Sequence, residues 1–137
     1  MANFALAVVP ADWDSATPLT FSQAQMEAIR DKVESGTQLI LYRSAPADEV
    51  IGQANAHGLF IKTNEWPQEN LGKIDPSDPE QAWILPIDVI LLLSGPSAPV
   101  PLSRVREILH DAGFPHPGEL WRVLTPGEYD TLRDGWT

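Results

Sequence analysis

Short apolar runs alternate along this chain with polar, proline-rich breaks. Phe4–Val9, "FALAVV", closes at Pro10 and reads as a buried strand. After a loop over 11–18, Phe21, Ala24, Ala28, Ile29 and Val33 recur at helical spacing. Thr20 and Gln23 offer a capping box and Gly36 a C-terminal stop, so the spacing predicts a helix over 21–35. A second strand covers 37–42. The turn at Ala45-Pro46-Ala47-Asp48 leads into a third over Glu49–Ala56, with Gly52 marking a bulge or a close backbone approach. Residues 59–62 extend that strand or make a fourth.

From 63 to 81 the periodicity disappears among three prolines and five acidic residues, and the segment reads as a long loop, often a functional one. The strongest apolar run, "WILPIDVILLLS" over 83–94, follows as a strand with Pro86 implying an edge or bulge near its start. Leu102, Val105, Ile108, Leu109 and Ala112 share one face of a helix over 102–112. Trp121–Leu124 is a last short strand. Thr125-Pro126-Gly127-Glu128 is a capping box with proline at the first helical position, opening a C-terminal helix. These spacings are too irregular for repeated βαβ units. They predict an α+β fold over one domain, 1–137: a small, curled mixed sheet or partial barrel with two or three helices packed outside.

Composition narrows the function. The chain has 137 residues, no cysteine and a net charge of −10, with nine Lys and Arg and no basic run. Disulfides and thiolate metal sites are excluded, and the cysteine-free composition suits the cytoplasm. The apolar runs are too short to span a membrane. Broad electrostatic binding of nucleic acid needs clustered cations, so such a role here requires a local pocket or basic surface from a fused or partner domain.

No Gly-rich phosphate loop, His-Glu-x-x-His or Gly-x-Ser-x-Gly motif is present. His57, His110 and His116 lack metal-site spacing, and Asp12, Asp14, Asp75 and Asp78 read as solvated loop charge. The aromatics say more. Trp13, Trp66, Trp83 and Tyr42 fall at loops or loop–strand junctions, Trp121 reads as core, and Trp136 lies near the C-terminus. Two readings stand for Trp13, Trp66 and Tyr42: core and loop-pinning groups, or a stacking box for a planar ring.

The order of features carries a resemblance. "VVPADW" ends the first strand, "TQLILYRSAPADEVIGQA" holds the second and third, and "AWILPIDVILL", "VPLSRVREIL" and "LTPGEYDTL" complete the series. This resembles the EVE group of PUA-like domains, related to YTH domains, across nearly the whole chain. The family's Gly-Asp before the second strand is Gly36-Thr37 here. The resemblance implies a PUA-like pseudobarrel that reads a modified base, a methylated one above all, without catalytic residues, cofactor or metal. It implies a partner nucleic acid, DNA or RNA, and a place in a modification-dependent restriction or RNA-binding system. Trp13, Tyr42, Ser44 and Trp66 are then the base-binding candidates, and Arg43 and Lys62 the phosphate contacts. Two alternatives are an ASCH-like hydrolase of a modified nucleoside and an acidic protein-interaction domain.

Overall fold

The structure is a computed structural model and describes residues 3–13, 17–92 and 100–134. Asp14, Trp136 and residues 93–94 of the strand predicted over 83–94 lie outside them. The fold is α+β. Among the described residues, eight strands form two sheets: β1 (Phe4–Val9), β2 (Leu19–Phe21), β3 (Gln38–Arg43), β4 (Glu49–Ala56), β5 (Ile61–Lys62), β6 (Trp83–Leu85), β7 (Ile87–Leu92) and β8 (Trp121–Leu124). Three α-helices accompany them among these residues: α1 (Gln23–Ile29), α2 (Leu102–Leu109) and α3 (Pro126–Asp134). The large sheet has the order β7-β4-β3-β1-β8, and the small sheet β2-β6-β5. β1 and β3 run parallel, so β2 and α1 form the crossover between them.

Pro86 does more than blunt an edge. It splits the run over 83–94 into β6, paired in the small sheet, and β7, paired in the large one. The predicted helix over 21–35 is also shorter. Phe21 pairs with Trp83 as the last residue of β2, and Ser22 rather than Thr20 is the N-cap, in a capping box with Gln25. Gln23 instead accepts a 2.6 Å bond from the Trp83 indole. Met26 and Ile29 are the buried residues of α1, while Ala28 is exposed. A 3₁₀ turn over Arg30–Lys32 follows, and Val33 is buried beyond it. Gly52 meets its prediction: a Cβ there would lie 2.2 Å from the Leu91 carbonyl oxygen, so only glycine lets β4 and β7 approach so closely.

Side chains alternate across the large sheet and build two cores. Leu6, Ile40, Tyr42 and Val50 face α2 and α3, packing with Val105, Leu109, Tyr129 and Leu132. Ala7, Val9, Leu39, Leu41 and Ile51 face the other way and pack with Phe21, Leu85, Met26 and Ile29 from the small sheet and α1. Trp121, 8% exposed, belongs to this second core, as predicted.

The loop from α2 to β8 is held by an ion network. Asp111 accepts bonds from Arg122 at 2.6 Å and from His116 at 2.8 Å, and Glu119 holds Arg122 from the other side at 3.0 Å. Arg122 also lies over the ring of the fully buried Phe114, 5.0 Å from its centroid. Arg122 first and His116 second hold the Asp111 carboxyl at about 2, below its ordinary 3.8. A depressed carboxylate stabilises the fold above its unfolded value and stops doing so as the pH falls through its folded value. Asp111→Asn is therefore expected to lower Tm at pH 7 and to leave it nearly unchanged at pH 2. Melting curves at the two pH values check this; an equal drop at both would show that packing, not charge, is what Asp111 supplies.

Candidate functional site

Pro10 stops β1, and the chain turns at once: the Trp13 N–H donates to the Pro10 carbonyl at 3.1 Å. The turn swings the Trp13 side chain back over the small-sheet face, where it is 5% exposed. Its indole N–H donates to the Thr17 carbonyl at 2.8 Å, closing the loop on itself. Beside it opens a cavity of about 330 Å³. Ala7 and Val8 line it from β1, Leu120 from the residue before β8, Leu19 and Phe21 from β2, and Ile74 from the long loop after β5. Trp13 and Phe21 are its aromatic walls among the described residues. Thr20, Gln25, Asp12, Lys73 and Glu80 supply polar groups. The size and the mixture of apolar walls with few polar groups match small-ligand sites.

The sequence-predicted site residues do not all meet there. Trp13 lines the cavity; Tyr42, Ser44, Trp66, Arg43 and Lys62 do not. Tyr42 is the clearest correction. Alternation along β3 puts it on the same face as Ile40, and it is fully buried against Phe114, with ring centroids 5.2 Å apart. Its hydroxyl donates to Asp48 at 3.1 Å; burial first and the Asp48 charge second push the phenol well above its usual range. Ser44 follows β3, its N–H bonded to the Val9 carbonyl at 3.0 Å. Trp66 packs one layer behind the cavity, in a small cluster with Ile74, Leu71 and Ile84. Lys62 lies over the Trp83 ring, 5.9 Å from its centroid.

Arg43 points to the cavity side of the sheet, opposite Tyr42, and does structural work there. One guanidinium nitrogen donates to the carbonyls of both Ala11 and Trp13, each at 2.8 Å. At the end of an apolar strand, this cation grips the backbone that carries Trp13. Sequence reasoning missed Phe21, Ile74 and Lys73. Phe21 carried a helical period, and the other two sit in the segment without any period.

Another depression, at the opposite end of the large sheet, is lined by Ser35, Gly36, His57, Leu59 and Asp88. It has no aromatic wall among the described residues, and its His57–Asp88 pair is solvent-exposed. Among the described residues, no group of three His, Asp or Glu side chains is placed to hold a metal ion. No helix among them is long and apolar enough to cross a membrane.

No protein-family model matches the sequence, and no curated protein matches it. Solved structures do match. Human THYN1, solved in complex with DNA containing 5-methylcytosine, superposes with a TM-score of 0.65 at 12% identity, covering 99% of each chain. The chain shares the fold of this protein, in keeping with the fold that the resemblance to PUA-like domains implied. Rpa0253 from Rhodopseudomonas palustris gives a TM-score of 0.64 at 16% identity, over 98% of this chain and 93% of its own. The ASCH protein of Zymomonas mobilis gives 0.52 at 14% identity, over 96% of this chain and 94% of its own. In this shared fold the Trp13 cavity lies where the small sheet meets the end of β1.

Proposed function

We propose that residues 1–137 form a recognition module that takes one modified base out of a nucleic acid and holds it in the Trp13 cavity. The observation that carries this reading is the cavity itself: about 330 Å³, walled by Trp13, Phe21 and aliphatic groups, with a small set of polar side chains around it. A base removed from its stack needs an aromatic face and a few hydrogen bonds to its edge. A methyl group on the base gains from a dry apolar wall. Gln25, whose side-chain oxygen accepts from the Ser22 N–H at 2.8 Å, keeps its NH₂ end for a base acceptor. Asp12 and Glu80 suit a base amino group, as carboxylates do for cytosine N4. The fold shared with THYN1, whose complex holds 5-methylcytosine DNA, supports the same reading. The charge of −10 favours pocket binding over grip on the backbone, and leaves the wider contact to an attached or partner effector domain.

The test is a binding panel: single-stranded and duplex oligonucleotides carrying cytosine, 5-methylcytosine, adenine or N6-methyladenine, at two salt concentrations. The expected result is a preference for one modified base that survives added salt. Tight, strongly salt-dependent binding to any duplex, or no preference among the bases, would overturn the proposal.

A further inference from the structure

Carboxylates reach the Trp13 cavity from two separate loops. Asp12 precedes Trp13 in the turn after β1, and Glu80 lies in the 3₁₀ turn over Pro79–Gln81. Both residues are exposed, and their hydrogen bonds among the described residues run through the backbone. The Asp12 carbonyl accepts from Lys73 at 3.0 Å, and the Glu80 N–H donates to the Asp78 carboxylate at 2.9 Å. Both carboxylates are thus left to a ligand, while Lys73, the cation lining the cavity beside them, is tied at that carbonyl. Trp13 and Phe21 supply aromatic walls. An aromatic face attracts a cation through its ring quadrupole, and a flat cation also stacks on it. A neutral methylated base uses the walls alone; a positively charged one uses walls and carboxylates together.

We propose that the base this cavity prefers above the neutral methylated ones is cationic: an adenine or cytosine methylated on a ring nitrogen of its pairing edge. This rests on the base-binding reading above and names the class of base. Methylation at adenine N1 or cytosine N3 leaves the ring positively charged at neutral pH. The exocyclic nitrogen remains a donor, and its charge-assisted bond to Asp12 or Glu80 is stronger than one from a neutral amino group. Cytosine O2 or adenine N7 remains an acceptor for the Gln25 NH₂, whose side-chain oxygen is held by the Ser22 N–H. The same methyl group blocks Watson–Crick pairing, so such a base leaves the stack at the lowest cost. A charge of −10 repels phosphates but attracts a positive base, so the composition that opposes general nucleic-acid binding favours this one. A plain alkylammonium, such as that of a methylated lysine, has no edge for Thr20 and Gln25 to read.

Calorimetric titration of the whole chain with two pairs of isomeric nucleosides tests this: 3-methylcytidine against 5-methylcytidine, and 1-methyladenosine against N6-methyladenosine. Within a pair only the methyl position and the charge differ. For at least one pair the cationic isomer is expected to bind about tenfold tighter at pH 7. That ratio is expected to fall towards one at pH 10, where the base has lost its proton. Asp12→Asn combined with Glu80→Gln is expected to lower the pH 7 ratio to about threefold, the share left to the aromatic walls. Asp31→Asn combined with Glu65→Gln removes the same charge from exposed positions away from the cavity and is expected to keep the full ratio. Equal or tighter binding of both neutral isomers overturns the cationic preference and leaves the base pocket standing. So does a ratio that persists at pH 10 or without the two cavity carboxylates, or one that falls equally in the control variant. Binding of Nε-trimethyl-lysine in place of all four nucleosides, or of none of these probes, overturns both readings.

Discussion

Tyr42→Ala is expected to lower folding stability by about 3–5 kcal/mol, the range for deleting a large aromatic from a packed core. Tyr42 is fully buried between β3 and the loop bearing Phe114, where no cavity waits to absorb the loss. Small domains have only about 5–15 kcal/mol to lose, so the variant sits near the edge of unfolding at room temperature. Tyr42→Phe keeps the ring and removes only the hydroxyl bond to Asp48, so it is expected to cost about 1 kcal/mol. Urea denaturation of the two variants beside the wild type measures both figures. Because Tyr42 lies on the far face from the cavity, Tyr42→Phe is also expected to bind the preferred oligonucleotide as the wild type does. A Tyr42→Ala protein with wild-type stability and no ligand binding would return Tyr42 to a pocket and refute this placement.

The placement of Tyr42 shows where sequence stops informing structure. All four residues from Leu39 to Tyr42 are buried, because helices cover one face of the large sheet and the small sheet covers the other. A strand buried on both faces loses the alternation that would tell its two sides apart. The strand itself was legible from "LILY"; the face taken by Tyr42 was not. β4, with alternating polar residues and Gly52, was readable to its last residue, and the capping box at Thr125 and Glu128 correctly opened α3.

The misreadings also have physical causes. Phe21 fits a helical period with Ala24 and Ala28, but two alanines contribute little burial. Pairing of Phe21 with Trp83 and its packing on Phe60 and Trp121 decide its place instead. Pro86 signalled an interruption, yet only the partners of the two halves, β2 and β5 for one and β4 for the other, reveal that they belong to different sheets. The candidate site was half legible. A tryptophan in the polar run "PADWDSA" drew attention to Trp13, whereas Lys73 and Ile74 reach the cavity from the 63–81 segment, whose course is set by isolated anchors such as Leu71 rather than by a repeating pattern.

Trp13→Ala is expected to weaken binding of the preferred modified oligonucleotide by roughly five- to a hundredfold, the range measured when an aromatic stacking partner is removed. At 5% exposure, however, Trp13 is also part of the core that holds Met26, Ile29 and Leu41, so the same substitution is expected to lower stability. Loss of binding by itself therefore proves nothing about stacking. Met26→Ala supplies the comparison: Met26 belongs to that core, does not line the cavity, and its truncation is expected to cost about 2–5 kcal/mol. Both variants are titrated at low temperature, where circular dichroism shows each to be folded. A stacking wall predicts that Trp13→Ala loses affinity while Met26→Ala, similarly destabilised, retains it. Equal losses in the two would mean that affinity follows the firmness of the core and that Trp13 offers the base no face of its own.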